Sequence, residues 1–571
     1  VKALQSWIST WAGGLCWQVD PSWQQFLPGP DGLPLEDWLR AGQATIVKHA
    51  SHRTVYKVEL PGLSCYIKHN RLIDVRTWLR ELVRPSKART ECRKALRIAG
   101  RAIPTVRPIA VGEGMRGLFP GESFLVTLAL PEAEPLESFL IRTCAAPGRP
   151  CSAGLRQKLA RILARFLARM HDAGVRHHDL HPGNILVRSS PAAHEMFLVD
   201  LHAVALGAPP NLETSRDNLV LINHWFALRS SRTDRLRFWK EYWQARTTPA
   251  AKPGWPLLRV LAADMEHRTW KSMLSLWRRR DQRCLGSNRH FRRVASPHVT
   301  GHAVRELEHH ALAPFLADPD ALFLRPDVRM LKDSRSSTVG EFSIRVGGAT
   351  RQVIFKRFRV TAWHDGFTGL VRWTPALRSW INGQRLLERN LPTPVPLLVL
   401  HRRKHGLRRE GYLLMDKIDG ATDLHGFVER LAEATPRRRR QSLHACLNEV
   451  AGLIRRLHAC RMSHRDLKAA NILVADPLPG TAAMRSWLID LVGVTQERRL
   501  KRSVRARNLA RLNASFHGNS SVSRTDRLRF LLAYLHVGLR GREVWREWWK
   551  DIAAATEAKI VRNMRRRRVL H

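Results

Sequence analysis

Residues 177–187 read HHDLHPGNILV, and residues 464–474 read HRDLKAANILV. Each opens on His-x-Asp, sets an Asn five positions after the Asp, and closes on the apolar run ILV. The pairs are Asp179 with Asn184 and Asp466 with Asn471. Downstream, FLVDLHAV carries Asp200 and WLIDLVGV carries Asp490. Upstream, SCYIKHN carries Lys68 and QVIFKRF carries Lys356. AIPTVRP from Ala102 answers NLPTPVP from Asn390, and SRTDRLRFWKEYW from Ser231 answers SRTDRLRFLLAYL from Ser523. The displacement is 287 positions from His177 to His464 and 292 from Ser231 to Ser523, so five landmarks keep their order and spacing. One domain has been duplicated, at a period far too long for a solenoid.

Each copy starts with short β-branched or aromatic runs (RTVYKVEL, SCYIK and SFLVTLAL in the first) interrupted by one helix near Ala88–Ala99. A helical part follows. Leu155, Leu159, Ile162, Phe166 and Met170 recur at helical spacing, as do Leu443, Leu447, Val450, Ile454 and Leu457. Each of these helices runs straight into its His-x-Asp loop. The expected division is an N-terminal extension over 1–40, a first domain over 41–293, a polar linker rich in Arg and His over 294–328, and a second domain over 329–571.

The loops carry the chemistry. Phosphoryl transfer needs a carboxylate at the acceptor hydroxyl, oxygen ligands for Mg²⁺ and a cation on the phosphates. Asp179 and Asp466 stand where the first belongs. Folding the ILV run back against the run before Asp200 or Asp490 sets Asp200 beside Asn184, and Asp490 beside Asn471, to share a metal ion. Lys68 and Lys356 each end an apolar, strand-like run, as a phosphate-gripping Lys does.

The H-x-D-L-x-x-x-N loop, the later I/V-D-L and the strand Lys resemble the protein-kinase-like superfamily. Within it, Asp200–His202 as D-L-H, the I-P-T and L-P-T-P segments and the shared R-T-D-R-L-R-F helix are similar to the bacterial lipopolysaccharide kinase (heptose/Kdo kinase, InaA-like) family. The resemblance covers about Ala41–Phe291 and Arg329–Leu570. It implies an α+β fold of two tandem protein-kinase-like bilobal domains, each with a small β-rich lobe and a helical lobe. It also implies ATP and Mg²⁺ as cofactors. Asp179, Asp466 and Lys468 take catalytic roles, Lys68, Glu91 and Lys356 hold the nucleotide, and Asn184, Asp200, Asn471 and Asp490 hold the metal. The implied substrate is a heptose or Kdo sugar of the lipopolysaccharide inner core.

Departures from the pattern define further expectations. Neither copy has a Gly-rich lid before its Lys, and KHASHRT or SRSST is left for that role. Gly112, Gly114 and Gly117 follow Lys68 and read as a hairpin turn. Glu91 offers the helix partner for Lys68, whereas the second copy has Ser379 there; Lys468 follows Asp466, whereas the first copy has His181. Both copies are expected to bind Mg·ATP, with the second faster on a generic sugar. The segment after each metal Asp is short and lacks A-P-E, which favours a small hydroxyl acceptor over a peptide. The cluster His171, His177, His178 and His181 lacks a Cys or carboxylate at ligand spacing and does not read as a transition-metal site; His177 reads as a brace of the loop. The repeated S-R-T-D reads as a helix cap, with Arg232, Arg235, Arg237, Arg524, Arg527 and Arg529 as candidates to grip an anion.

Composition bounds the rest. The 571 residues carry a formal net charge of +47, from 96 Lys and Arg against 49 Asp and Glu. Such an excess reads either as affinity for an anionic partner or as drift toward Arg in a GC-rich genome. The partners expected are lipopolysaccharide core or another anionic glycan or lipid and an anionic membrane surface. No nucleic-acid motif accompanies the charge, and oligomeric state is not encoded legibly. The eight cysteines lack C-x-x-C spacing and read as reduced thiols. With neither a secretory signal nor a spanning run, the expected place is the cytoplasm, peripheral on the inner face of the inner membrane. Two other readings stand beside the sugar kinase: an aminoglycoside- or lipid-directed phosphotransferase, and a partly inactive scaffold for anionic partners.

Overall fold

A computed structural model describes residues 6–29, 31–50, 52–72, 84–116, 119–144, 152–190, 193–248, 254–359, 373–404, 407–476, 484–536 and 542–565. The chain divides into two compact units, Val1–Met273 and Leu274–His571.

In the first unit, β1 (Ile8–Ala12), β2 (Leu15–Val19), β3 (Ala44–Ala50), β4 (Arg53–Leu60), β5 (Leu63–Asn70), β6 (Pro108–Arg116) and β7 (Phe119–Leu128) form one sheet in the order β1-β2-β6-β7-β5-β4-β3. Burial alternates along β4 and β5, so Tyr56, Val58, Cys65 and Ile67 face a core that also holds Trp17, Val19 and Val126. The helix Lys87–Ala99 starts where the Ser86 side chain accepts from the Arg89 amide. It buries Ala88, Cys92, Ala95 and Ile98, one face of a helix. Then come β8 (Ala133–Pro135), β9 (Val175–His177), β10 (Ile185–Ser189), β11 (His194–Leu198) and β12 (Val204–Leu206) among the helices Ala153–Asp172, Leu212–Arg229 and Arg232–Ala245. The long helix buries Leu159, Leu163, Phe166, Leu167 and Met170, while Leu155 and Ile162 are only partly covered.

The second unit repeats this plan. β13 (Phe291–Ala295), β14 (Val299–Val304), β15 (Arg329–Asp333), β16 (Ser337–Val346), β17 (Ala349–Phe358), β18 (Pro396–Lys404) and β19 (Leu407–Asp416) take the order β13-β14-β18-β19-β17-β16-β15. The helix Pro375–Glu388, the small strands β20 (Ala421–Asp423), β21 (Met462–His464), β22 (Ile472–Ala475), β23 (Arg485–Leu488) and β24 (Val494–Gln496), and the helices Pro436–Ala459, Arg502–Ala514 and Arg524–Leu535 complete it. Each unit is thus an α+β, two-lobed kinase-like body. Among the described residues no helix is long and apolar enough to cross a membrane.

The expected boundaries at 1–40 and 294–328 need correction. β1 and β2 pair into the first sheet through β2 and β6, and β13 and β14 do the same through β14 and β18. The expected extension and linker each contain a hairpin at the edge of a sheet, followed by the helix Leu35–Arg40 or His309–Ala317, and the division between units falls inside the helix Trp255–Arg280. Five-residue edge strands bury few side chains, so their two sequences share too little pattern to be matched. Gly112 and Gly114 lie within β6 rather than in a turn, and Gly117 is outside the described residues. A Cβ at Gly112 would sit 2.8 Å from the Trp17 ring, which explains the glycine.

Candidate active site

The small sheet and the helical lobe meet at the repeated loops. In the first unit Lys68 lies on β5 and donates to Glu91, which its helix holds 6% exposed. The same ammonium is 3.9 Å from Asp200 Oδ1. Asp200 also accepts from His202 Nδ1 at 2.9 Å and from Arg53 Nη1, on the β3–β4 hairpin, at 3.5 Å. Burial raises its carboxyl, but the His202 hydrogen bond and the charges of Lys68, His202 and Arg53 outweigh that and hold it well below the usual carboxylate range. KHASHRT spans this hairpin and SRSST the β15–β16 turn, so both candidate lids occupy the same place in their sheets; Ser51 is outside the described residues.

The hairpin inferred from the two apolar runs is present: β10 pairs antiparallel with β11, and β22 with β23. The Val199 amide donates to the Asn184 carbonyl at 3.1 Å, and Ile489 to Asn471 at 3.0 Å, which sets each Asp next to its Asn in the ladder. Both aspartates adopt left-handed backbone, φ 57° at Asp200 and 53° at Asp490. Such a conformation is costly for a side chain and persists where the surroundings impose it, often at functional sites.

The His-x-Asp loop is braced identically in both units. The His177 ring accepts from the Asp179 amide (3.2 Å) and donates to the Val199 carbonyl (3.2 Å). His464 does the same with Asp466 (3.3 Å) and Ile489 (3.2 Å). Burial lowers the pKa of both rings, in keeping with neutral imidazoles. Asn184 Nδ2 donates to the Asp179 carbonyl and Asn471 Nδ2 to that of Asp466, both at 2.8 Å. The Asp179 and Asp466 residues themselves are exposed.

A second layer escaped the sequence reading. Tyr242 donates to His171 Nδ1 at 2.7 Å, His171 Nε2 donates to Asn218 at 3.0 Å, and Asn218 donates to the His177 carbonyl at 2.7 Å. Tyr534, His458 and Asn508 repeat the chain, and Asn508 accepts from the His464 amide at 2.9 Å. The signal was in the sequence, since His, Asn and Tyr recur at matching places in both copies.

The two sites differ at their cations. Lys356 Nζ is 3.3 Å from Asp490 Oδ1, and Ser379, where Glu91 stands in the first unit, donates to the Pro375 carbonyl. His181 Nε2 is 3.8 Å from Asp179 Oδ2, and its Nδ1 accepts from the Gly183 amide. Lys468 occupies the matching place, half-buried ahead of the turn Ala469–Asn471. One carboxylate and one carboxamide oxygen per site suit Mg²⁺, which keeps several waters and takes phosphate oxygens.

The S-R-T-D segments do cap helices, Ser231 and Ser523 accepting from the Asp234 and Asp526 amides at 3.1 Å. Four of the six arginines are engaged within the fold, which corrects the anion-gripping expectation for Arg235, Arg237, Arg527 and Arg529. Arg235 clamps Glu266, Arg527 donates to Asn513 and the Phe516 carbonyl, and Arg237 and Arg529 turn back on Asp234 and Asp526.

Comparison with known proteins agrees with this geometry. The profile of the Lipopolysaccharide kinase (Kdo/WaaP) family matches residues 56–242 and again 336–534, more than half of the chain. The chain is 27% identical over 217 residues to the lipopolysaccharide core heptose(I) kinase WaaP of Pseudomonas aeruginosa, covering 36% of this chain and 79% of that one. It is 31% identical over 108 residues to a 3-deoxy-D-manno-octulosonic acid kinase of Haemophilus influenzae, covering 19% of this chain and 40% of the relative. A solved structure of WaaP in complex with acyl carrier protein aligns with 24% identity and a TM-score of 0.33, over 45% of this chain and 98% of that one. The twofold match, falling on the two copies of the loops, places the chain in the lipopolysaccharide kinase (Kdo/WaaP) family, with the kinase domain present twice in tandem.

Proposed function

We propose that the protein transfers the γ-phosphoryl group of ATP to a hydroxyl on a heptose or Kdo sugar of the lipopolysaccharide inner core. The observation that carries this reading is the convergence, in each unit, of the strand Lys, the loop Asp and the Asn–Asp pair at the junction of sheet and helical lobe. Asp179 and Asp466 orient the acceptor hydroxyl and take its proton as the new O–P bond forms, while the bond from the γ-phosphorus to the β–γ bridging oxygen breaks and ADP leaves. Lys68, fixed by Glu91, and Lys356 hold the nucleotide phosphates. Asn184 with Asp200, and Asn471 with Asp490, would hold Mg²⁺, which supplies charge neutralisation on the phosphates when bound. Lys468 adds positive charge beside Asp466, where negative charge builds on the transferring group.

A small acceptor is supported by the connection after the metal Asp. Residues 201–211 and 491–501 hold one short strand each before the next helix begins at Leu212 or Arg502, leaving little chain to form a peptide platform. The excess positive charge supports docking at an anionic membrane face, in the cytoplasm where ATP is supplied.

Incubating the full chain with ATP, Mg²⁺ and deacylated lipopolysaccharide, then weighing the core oligosaccharides, tests the proposal. The expected result is added phosphate on a heptose or Kdo residue. Phosphorylation of an aminoglycoside or a lipid, with the core oligosaccharide unchanged, would replace it with the runner-up reading.

A further inference from the structure

The second unit contains a basic cavity. It has a volume of about 550 Å³ and is lined by Arg278, Arg389, Arg461 and Arg498 with Leu274, Gln496 and Glu497. It lies on the far end of the helix Pro375–Glu388, next to the start of β21 and the end of β24, apart from the Lys356–Asp490 site.

The matching positions in the first unit show how this cavity arose. Arg461 follows the helix end at Ala459 and then Cys460, and precedes β21; Gly174 follows Asp172 and Ala173 and precedes β9. Both have left-handed backbone, φ 57° at Arg461 and 67° at Gly174. At Gly174 the glycine is required, since a Cβ there would stand 2.0 Å from the Gly207 carbonyl oxygen. Arg101 fills the remaining space and donates to the carbonyls of Ala173 and Gly207. The second unit keeps the backbone hydrogen bond across this place, Glu497 amide to Arg461 carbonyl at 2.9 Å, just as Gly207 donates to Gly174. It nevertheless sets an arginine where the backbone favours glycine, and a second arginine, Arg498, where the first unit has Ala208.

Charge in the cavity is incompletely compensated. Arg389 is buried and neutralised by a two-pronged ion pair with Asp281 at 2.9 and 3.0 Å, yet its Nε has no hydrogen-bond partner. Arg461 donates to the neutral Arg498 carbonyl, so it keeps its full charge. Arg278 and Arg498 are exposed and form no ion pair among the described residues. The Glu497 carboxylate accepts from Thr495 Oγ1 and is the one acid on the lining.

We propose that this cavity binds a phosphomonoester, carried on a sugar or on a lipid headgroup, at a site separate from catalysis. Three uncompensated guanidinium groups around one cavity match a dianionic, tetrahedral oxyanion, which arginine recognises in two-pronged fashion. The volume exceeds what a bare phosphate fills and falls in the range of small-molecule sites.

The test uses the full chain and Arg461→Gly combined with Arg498→Gln. Glycine suits the left-handed backbone, so this variant is expected to fold at least as well as the parent. Calorimetric titration with glucose 6-phosphate, with inorganic phosphate, and with phosphatidic acid vesicles against phosphatidylcholine vesicles distinguishes the sources. A control, Arg437→Gln with Arg438→Gln, removes the same charge from an exposed helix start. The expected result is binding of glucose 6-phosphate or of phosphatidic acid vesicles that weakens at least tenfold in the cavity variant and is unchanged in the control. Whichever probe shows this pattern identifies the sugar or the lipid as carrier. Equal binding by parent and cavity variant, or equal loss in cavity variant and control, would overturn the proposal, whether or not the protein phosphorylates lipopolysaccharide.

Discussion

The two units share a sheet order, a braced loop and an Asp in left-handed backbone, yet they balance charge differently. In the first, Lys68 is gripped by Glu91 and Asp200 gathers His202 and Arg53 as well. In the second, Lys356 turns to Asp490 because Ser379 offers no carboxylate, and Lys468 brings a cation to the catalytic loop. The first site is ordered around the Lys68–Glu91 pair, the second around Lys356 and Asp490 with Lys468 nearby. The lesson is that duplication preserved the groups that fix geometry and relaxed the groups that tune charge. Geometry tolerates little error, whereas electrostatic stabilisation can be supplied from more than one direction.

The largest test removes one loop Asp at a time. Asp179→Ala and Asp466→Ala together should abolish transfer, and each alone should cost its own unit about 10²–10⁴-fold. Product mapping by mass spectrometry after each single change reads the comparison directly. Different missing products mean two acceptor hydroxyls, one per unit, and a faster residual rate in Asp179→Ala is the expected ordering. Equal loss of one and the same product from both would break the picture of two independent sites.

Exchanging the Lys partners sharpens the contrast at smaller scale. With the second unit silenced by Asp466→Ala, Glu91→Gln should slow the first about 10–100-fold, the worth of a hydrogen bond between charged groups. With the first silenced, Ser379→Glu should speed the second by about 10-fold or less. Single-turnover rates with saturating ATP give both values. If Glu91→Gln leaves the rate intact, the ion pair is structural and the asymmetry is not catalytic.

The smallest effect concerns what the units share. Burial lowers His171 to about 4 and His458 to about 3, so both are neutral when folded. Unfolded, each takes up a proton near pH 6.5, so the unfolded chain binds more protons as pH falls below that point. Stability should therefore drop between pH 6.5 and 5, by about 2 kcal/mol per histidine at pH 5, and stop dropping below the folded pKa. Urea unfolding followed at pH 7.5, 6 and 5 checks this. A midpoint that stays flat down to pH 5 would show that the braces do not exclude protons.

Much of this was legible because the informative residues sit in short, rigid motifs. Lys68, Asp179, Asn184 and Asp200 announce themselves twice each, and the repeat fixes their register without any structure. The hairpin between Asn184 and Asp200 followed from two apolar runs, and the S-R-T-D caps from local chemistry. The edge strands Ile8–Ala12 and Phe291–Ala295 were illegible because they face little core and carry no shared pattern. The arginines after Ser231 and Ser523 misled because a sequence shows a charge but not its partner, here Glu266, Asn513 and the cap aspartates. The left-handed backbone at Asp200 and Asp490 was hidden because such positions ordinarily announce themselves by glycine.

The brevity of residues 201–211 and 491–501 has a consequence for control. Kinases that act on proteins are commonly held off and released by a long segment at this place, which phosphorylation orders. Here the strand Val204–Leu206 is already paired with Val175–His177, and Val494–Gln496 with Met462–His464, so only five residues are left before each following helix begins. No length is left over to be folded or released by a covalent mark. A switch of that kind has no chain to act on at residues 201–211 or 491–501.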